Sequence, residues 1–276
     1  MKRFISVFLK GAWIGGTLTV PGVSGGSMAM ILGLYEQLIT SFNNLLKRGA
    51  PKKESVRFLL FFCAGAGAGI LALSGLVVWL LKLFPTPMAF FFAGAVAGGI
   101  PVILRELNRG AIKWYNIFYL LAGILLIILI SFLPTGLFSI RPEDGVRGWL
   151  MQIAGGIIAA AALVLPGISV SHMLYVLGLY TGIMEHVSAF DLLPLIPFVI
   201  GVALGVILMT RAVEYLLVHF KLQTYLVILG FVLGSVGELL SDVRISEISV
   251  ICIFFLAAGF AGIFFLFRLE QNKTKS

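Results

Sequence analysis

Six apolar runs decide what this chain can fold into. Phe58–Phe84, Met88–Leu104, Trp114–Leu133, Leu195–Val218, Leu222–Leu240 and Ser249–Phe267 are each long enough to cross roughly 30 Å of hydrocarbon as a helix. Met88–Leu104 is the shortest. Composition agrees: of 276 residues, 60% are hydrophobic and 12% charged, with a mean hydropathy of +1.08. A soluble domain carries about 25% charged residues to wet its surface. A soluble enzyme, a disordered protein and a disulfide scaffold are therefore excluded. The expected class is an all-α polytopic membrane protein. The 32 glycines suit it, because small residues let membrane helices approach closely.

Two more apolar stretches, Gly11–Thr40 and Trp149–Met184, are interrupted. The interruptions read Val20-Pro-Gly-Val-Ser-Gly-Gly-Ser27 and Leu165-Pro-Gly-Ile-Ser-Val-Ser-His172. Proline and glycine end one helix, and the following serine caps the next. Each stretch reads as two half-helices joined at a Pro-Gly-x-Ser turn.

The basic residues favour stretches that turn back. With two re-entrant hairpins, six spans and a cytoplasmic N-terminus, fifteen of the 20 Lys and Arg lie inside. Lys82, Arg141, Arg147 and Arg244 lie outside, and Arg211 is left within a span. If the first broken stretch crossed, the basic loop Lys47–Arg57 and the basic N-terminus would face opposite sides and weaken the positive-inside bias. Both termini are thus expected in the cytoplasm. The net charge of +8 reports topology, not nucleic-acid binding. The segment after Met-Lys-Arg has no short apolar core with a cleavage site, and is read as retained. Trp13, Trp79, Trp114 and Trp149 read as an aromatic belt. Cys63 and Cys252 read as buried free thiols.

The interrupted stretches match each other at an offset of 145. Pro21, Gly22, Ser24, Met28, Leu32, Gly33, Leu34 and Tyr35 recur as Pro166, Gly167, Ser169, Met173, Leu177, Gly178, Leu179 and Tyr180. An offset of 136 then aligns Gly65, Gly69, Gly94 and Gly98 with Gly201, Gly205, Gly230 and Gly234. The chain reads as one membrane domain of two repeats, 1–133 with hairpin 11–40 and 149–268 with hairpin 149–184. Three spans per repeat make the halves inverted, the pattern of secondary transporters with a midplane site.

Each hairpin tip exposes a helix N-terminus, whose free N–H groups and dipole favour an anion. Ser24, Gly25, Gly26 and Ser27 from one tip, and Ser169, Ser171 and His172 from the other, are candidate phosphate contacts. Arg211 is a candidate counter-charge, and its spacing from Glu214 would let the two pair. Glu36, Glu214, Glu238 and Arg105 are candidates for coupling or gating, since ionisable groups are costly inside spans. No metal-ligand spacing, nucleotide loop or nucleophile constellation is present, so no cofactor or metal is expected.

At the doubled Pro-Gly-x-Ser and Leu-Gly-Leu-Tyr motifs, the sequence resembles the bacterial polyprenyl-phosphate transporter (PopT-like) family. The resemblance implies translocation of undecaprenyl phosphate across the plasma membrane, returning the lipid carrier for wall-polymer synthesis. The implied partners are that lipid and the bilayer, with no nucleic acid; a homo-oligomer stays open. In the second motif Val170, Ser171 and His172 replace Gly25, Gly26 and Ser27. Two alternatives remain. Undecaprenyl pyrophosphate phosphatases share the layout, but their loop carries an arginine after the motif serine, where this chain has Gly25 and Val170. A small-anion transporter would use the same helix ends.

Overall fold

The computed structural model describes residues 2–18, 23–107, 113–136, 145–189, 191, 193–241 and 243–274. Pro21, Gly22, Arg109, Arg141 and Lys275 lie outside the described residues. Among the described residues there are twelve α-helices and no strand. The first six are α1 (Lys2–Thr17), α2 (Gly25–Ile31), α3 (Tyr35–Leu46), α4 (Lys52–Leu83), α5 (Pro85–Glu106) and α6 (Ile117–Ser131). The rest are α7 (Gly145–Val164), α8 (Val170–Leu177), α9 (Tyr180–Ser188), α10 (Ile196–His219), α11 (Lys221–Leu240) and α12 (Val250–Thr274).

Glycine pairs set the packing. Gly65 and Gly69 of α4 lie against the backbone of Phe8 and Ala12 of α1. Gly201 and Gly205 of α10 lie against Ile153 and Ile157 of α7. Gly94 and Gly98 of α5 meet Leu256 and Phe260 of α12, and Gly230 of α11 meets Leu120 of α6. A Cβ at any of these glycines would collide with its neighbour, mostly with backbone. The close helix contacts therefore exist only because glycine stands there. In each pair both partners advance together along their chains, so the paired helices run parallel. A parallel α1 and α4 require the chain between Thr17 and Lys52 to come back along the α1 axis. The same holds between α7 and α10.

The outer surface is apolar. Leu71, Phe132 and Val250 are more than four-fifths exposed, a pattern that suits hydrocarbon and not water. Among the described residues, six helical segments are long and apolar enough to cross a membrane, and the protein is a multi-pass membrane protein. One of the six is Gly145–Val164; α12 is itself a helix of 25 residues. The sequence reading made α7 a half-helix. It has 20 residues, about 30 Å, because the Pro-Gly turn marks where a helix ends and not how long it has run. Cys63 is exposed on α4 and only Cys252 is buried. The expectation of two buried thiols fails at Cys63 because α4 turns much of its surface outward.

Each interrupted stretch also holds a second break. Gly33 and Gly178 take left-handed backbone, φ +67° and +73°. Leu34 N–H donates to the Ala29 carbonyl at 2.8 Å, and Leu179 N–H donates to Leu174 at 2.9 Å. These are matching glycine C-caps that close α2 and α8. The stretches are therefore three helices each, not two half-helices. The glycine of Leu-Gly-Leu-Tyr was the available signal.

Candidate functional site

The two Pro-Gly-x-Ser turns build the same structure. Ser24 caps α2 with φ −87° and ψ 129°, and its Oγ accepts the Ser27 N–H at 3.4 Å. Ser169 caps α8 with φ −78° and ψ 124°, and accepts the His172 N–H at 3.4 Å. Both serines are buried. Among the described residues, no backbone acceptor meets the N–H groups of Gly25, Gly26, Val170 and Ser171. These are the free donors of a helix start.

The two turns touch. A Cβ at Gly26 would come within 3.1 Å of the Leu165 carbonyl and the Pro166 backbone. Glycine is needed there for close approach, not for its dihedral freedom. Tyr35 fixes the junction by donating its hydroxyl to the Val164 carbonyl at 3.0 Å. On the far side, Gly167 lies against the Phe231 carbonyl of α11.

Polar atoms at this junction lack partners. Ser27 is 1% exposed, and among the described residues its Oγ has no hydrogen-bond partner. At the matching position of the other turn, His172 Nε2 is buried without a partner. An unsatisfied buried polar group costs about 1–3 kcal/mol, and here two such groups stand at equivalent positions of the two turns. His172 Nδ1 stands 3.7 Å from Glu238 Oε1. Ser171 points to an exposed position.

The other expected residues fall elsewhere. Glu36 begins α3, accepts the Tyr225 hydroxyl at 2.5 Å and lies 4.0 Å from Lys221. Lys221 also reaches Glu106 at 2.7 Å. Arg105 is exposed in the last turn of α5. Glu214 binds Lys47 at 2.7 Å and Asn43 at 2.8 Å. The expected Arg211–Glu214 pair is not formed, because α3 supplies both partners of the carboxylate. Arg211 is exposed and shares a helix face with Leu204, Leu208 and Tyr215, all about half exposed. Following the α7–α10 register, it stands level with Leu163, one turn before the second tip.

Sequence reasoning missed the residues that join the halves: Tyr35, Asn43, Lys47, Thr210, Lys221 and Tyr225. Asn43 is 1% exposed and donates to the Thr210 carbonyl, while the Thr210 hydroxyl donates back to Asn43 Oδ1, both at 2.9 Å. These partners lie more than a hundred residues apart, so no local spacing announces them.

A family model described as VCA0040-like, undecaprenyl phosphate translocase-like, matches residues 14–266. A polyprenyl-phosphate transporter from Vibrio cholerae serotype O1 is 28% identical over 248 residues, covering 86% of this chain and 78% of the relative. A polyprenyl-phosphate transporter from Staphylococcus aureus is 33% identical over 243 residues, covering 82% of this chain and 83% of that relative. No solved structure matches the chain.

Proposed function

We propose, because the chain belongs to the undecaprenyl phosphate translocase-like family, that it carries a polyprenyl phosphate across the membrane. Undecaprenyl phosphate is the substrate we assign, moved between leaflets of the bacterial plasma membrane so that the carrier is reused. The observation that carries this reading is the contact of the two serine-capped turns, with Ser27 Oγ and His172 Nε2 buried and unpartnered beside it.

In this reading the phosphate sits at the junction. Ser27 Oγ and His172 Nε2 donate to its oxygens, together with first-turn N–H groups at Gly25, Gly26, Val170 and Ser171. Ser24 and Ser169 hold the turns in shape. A hydrogen bond to a charged group contributes about 1.5–3 kcal/mol, enough to offset part of the head group's dehydration. Glu238 beside His172 takes up or returns the imidazole proton as the phosphate charge arrives and leaves. Arg211 meets the head group on the lipid-facing side of α10. There an unpaired guanidinium is costly without an anion. Glu36 lies in the first turn of α3 and Arg105 in the last turn of α5, and we assign them to gating. Glu214 anchors α3.

We take the paired tips as re-entrant and the halves as inverted repeats that rock against each other. The parallel α1–α4 and α7–α10 pairs support this, as do glycines that meet equivalent partners in both halves. Both termini are placed in the cytoplasm on the distribution of Lys and Arg.

The test is exchange of undecaprenyl phosphate in proteoliposomes, read with an impermeant head-group binder, with phosphate release followed in the same samples. Accelerated exchange without release is expected. Arg211→Ala is expected to slow it. Exchange that survives this change removes Arg211 from the path. Phosphate release from the pyrophosphate form, without exchange, replaces the transporter by a phosphatase. Inhibition by inorganic phosphate as strong as by the lipid favours a small-anion transporter.

A further inference from the structure

Beside the second tip lies a cavity of about 360 Å³. Its floor is α11, at Val227, Ile228 and Phe231, and its walls come from Tyr119 of α6 and Leu216 of α10. Leu165 also lines it, and the Leu165 carbonyl abuts Gly26. Tyr119 and Leu216 are 39% and 41% exposed, so the slot has an open side on the apolar outer surface. It thus has lining residues both at the tip junction and at that surface.

Its chemistry specifies the guest. The Tyr35 hydroxyl that lines it is engaged by the Val164 carbonyl. The Thr224 hydroxyl is engaged by the carbonyls of Phe220 and Leu216, at 2.8 and 3.1 Å. Gln223 and Tyr119 contribute an amide and a second phenol to the lining, and the other seven lining residues are aliphatic or aromatic, a surface that rewards hydrocarbon in proportion to the area it buries. The volume lies near the lower end of ligand pockets, roughly 300–1,000 Å³. A space of this size suits a few isoprene units of one chain.

The slot is not a by-product of the repeated architecture. At the offset of 136, Val227 and Ile228 correspond to Phe91 and Phe92, and Phe92 is 2% exposed. Tyr119 and Phe220, on either side of the open slot, correspond to Phe255 and Phe84. Those two rings meet at 6.1 Å. Side chains fill in the first half the space that stands open in the second.

We infer that this slot seats the first isoprene units of the polyprenyl tail while the phosphate occupies the tip junction. The inference rests on the transport reading above and adds the determinant that selects a single-chain prenyl lipid. The slot holds the tail end nearest the phosphate, and the rest of the tail stays in the bilayer. The tail thereby orients the head group toward Ser27 and His172.

The test uses the full chain in detergent and in proteoliposomes, with farnesyl phosphate as a short probe. Val227→Phe places in the slot the ring that Phe91 supplies in the other half, and Leu216→Trp narrows its wall. Each is expected to weaken farnesyl phosphate binding, and to slow undecaprenyl phosphate exchange, by about tenfold or more. Wild-type protein carrying photoreactive farnesyl phosphate is expected to crosslink within α11 or α6, which keeps the test alive if a filled variant fails to fold. Farnesyl phosphate should suppress that crosslink, and dioleoyl phosphatidic acid should not. Wild-type exchange together with undiminished exchange in both folded variants overturns the slot and leaves the transport reading intact. Crosslinks elsewhere, or equal competition by phosphatidic acid, also overturn it. No wild-type exchange, with farnesyl phosphate still bound in the slot, removes the transport reading and keeps a prenyl-phosphate site.

Discussion

Ser27 presents a conflict that the proposed phosphate would resolve. Its hydroxyl is fully buried and unbonded, a state that weakens the fold and is tolerated where binding needs it. Ser27→Ala is therefore expected to slow lipid exchange by about tenfold to a hundredfold, while the unfolding temperature stays level or rises. A drop in both would make Ser27 structural. The sequence indicated this position through the doubled motif, which pairs it with His172. It could not indicate Glu238 as the neighbour of His172, because that 3.7 Å contact joins residues 66 apart. Arg211 shows the opposite limit. Its spacing from Glu214 permitted an ion pair, and the structure gave that carboxylate to Lys47 and Asn43.

Among the elements, α3 ties the two halves together. It belongs to the first half by sequence, yet its Tyr35, Glu36, Asn43 and Lys47 all bind the second half. These bonds differ in weight. Lys47–Glu214 is half exposed on the lysine side, at 54%, and such a pair contributes about 0–1 kcal/mol. Asn43→Ala removes three buried or part-buried hydrogen bonds at once, to Thr210 and Glu214, and is expected to cost about 1–3 kcal/mol. Thermal unfolding in detergent should therefore fall clearly for Asn43→Ala and little for Lys47→Ala. The glycine crossings give a second expectation at this scale. Gly65→Val would drive a side chain into the Phe8 backbone, and Gly201→Val into that of Ile153. Both variants should lose folded protein in detergent by size exclusion, whereas Gly67→Val, with open space around it, should not.

For the whole molecule, α1 runs parallel to α4 and α7 to α10, and the proposed inverted arrangement of the halves can be tested at the termini. Cysteines placed singly at both termini are expected to react with an impermeant thiol reagent from one side of oriented vesicles, and that side is the cytoplasmic one. Labelling from opposite sides would break the inverted arrangement. Rocking of the halves would also have to part Lys221 from Glu106 and Glu36. Lys221→Met is thus expected to change the exchange rate more than the unfolding temperature, since the Lys221–Glu106 pair is about half exposed.

The sequence by itself determined the class, the apolar helices, the capped turns and the glycines at the crossings. These follow from local chemistry: apolar length, proline and glycine at breaks, serine at caps, and small residues four apart. The second break at Gly33 and Gly178 was also local, and its matching C-caps lay within reach of the same rules. Only the tertiary structure decided that the two turns touch at Gly26 and Leu165, that α3 bonds across to the second half, and that an apolar slot opens at one tip while phenylalanines meet at its counterpart. Those outcomes depend on which distant surfaces meet. A repeat can state that two turns are alike, but bringing them together takes the packing of α7, α10 and α11 around them.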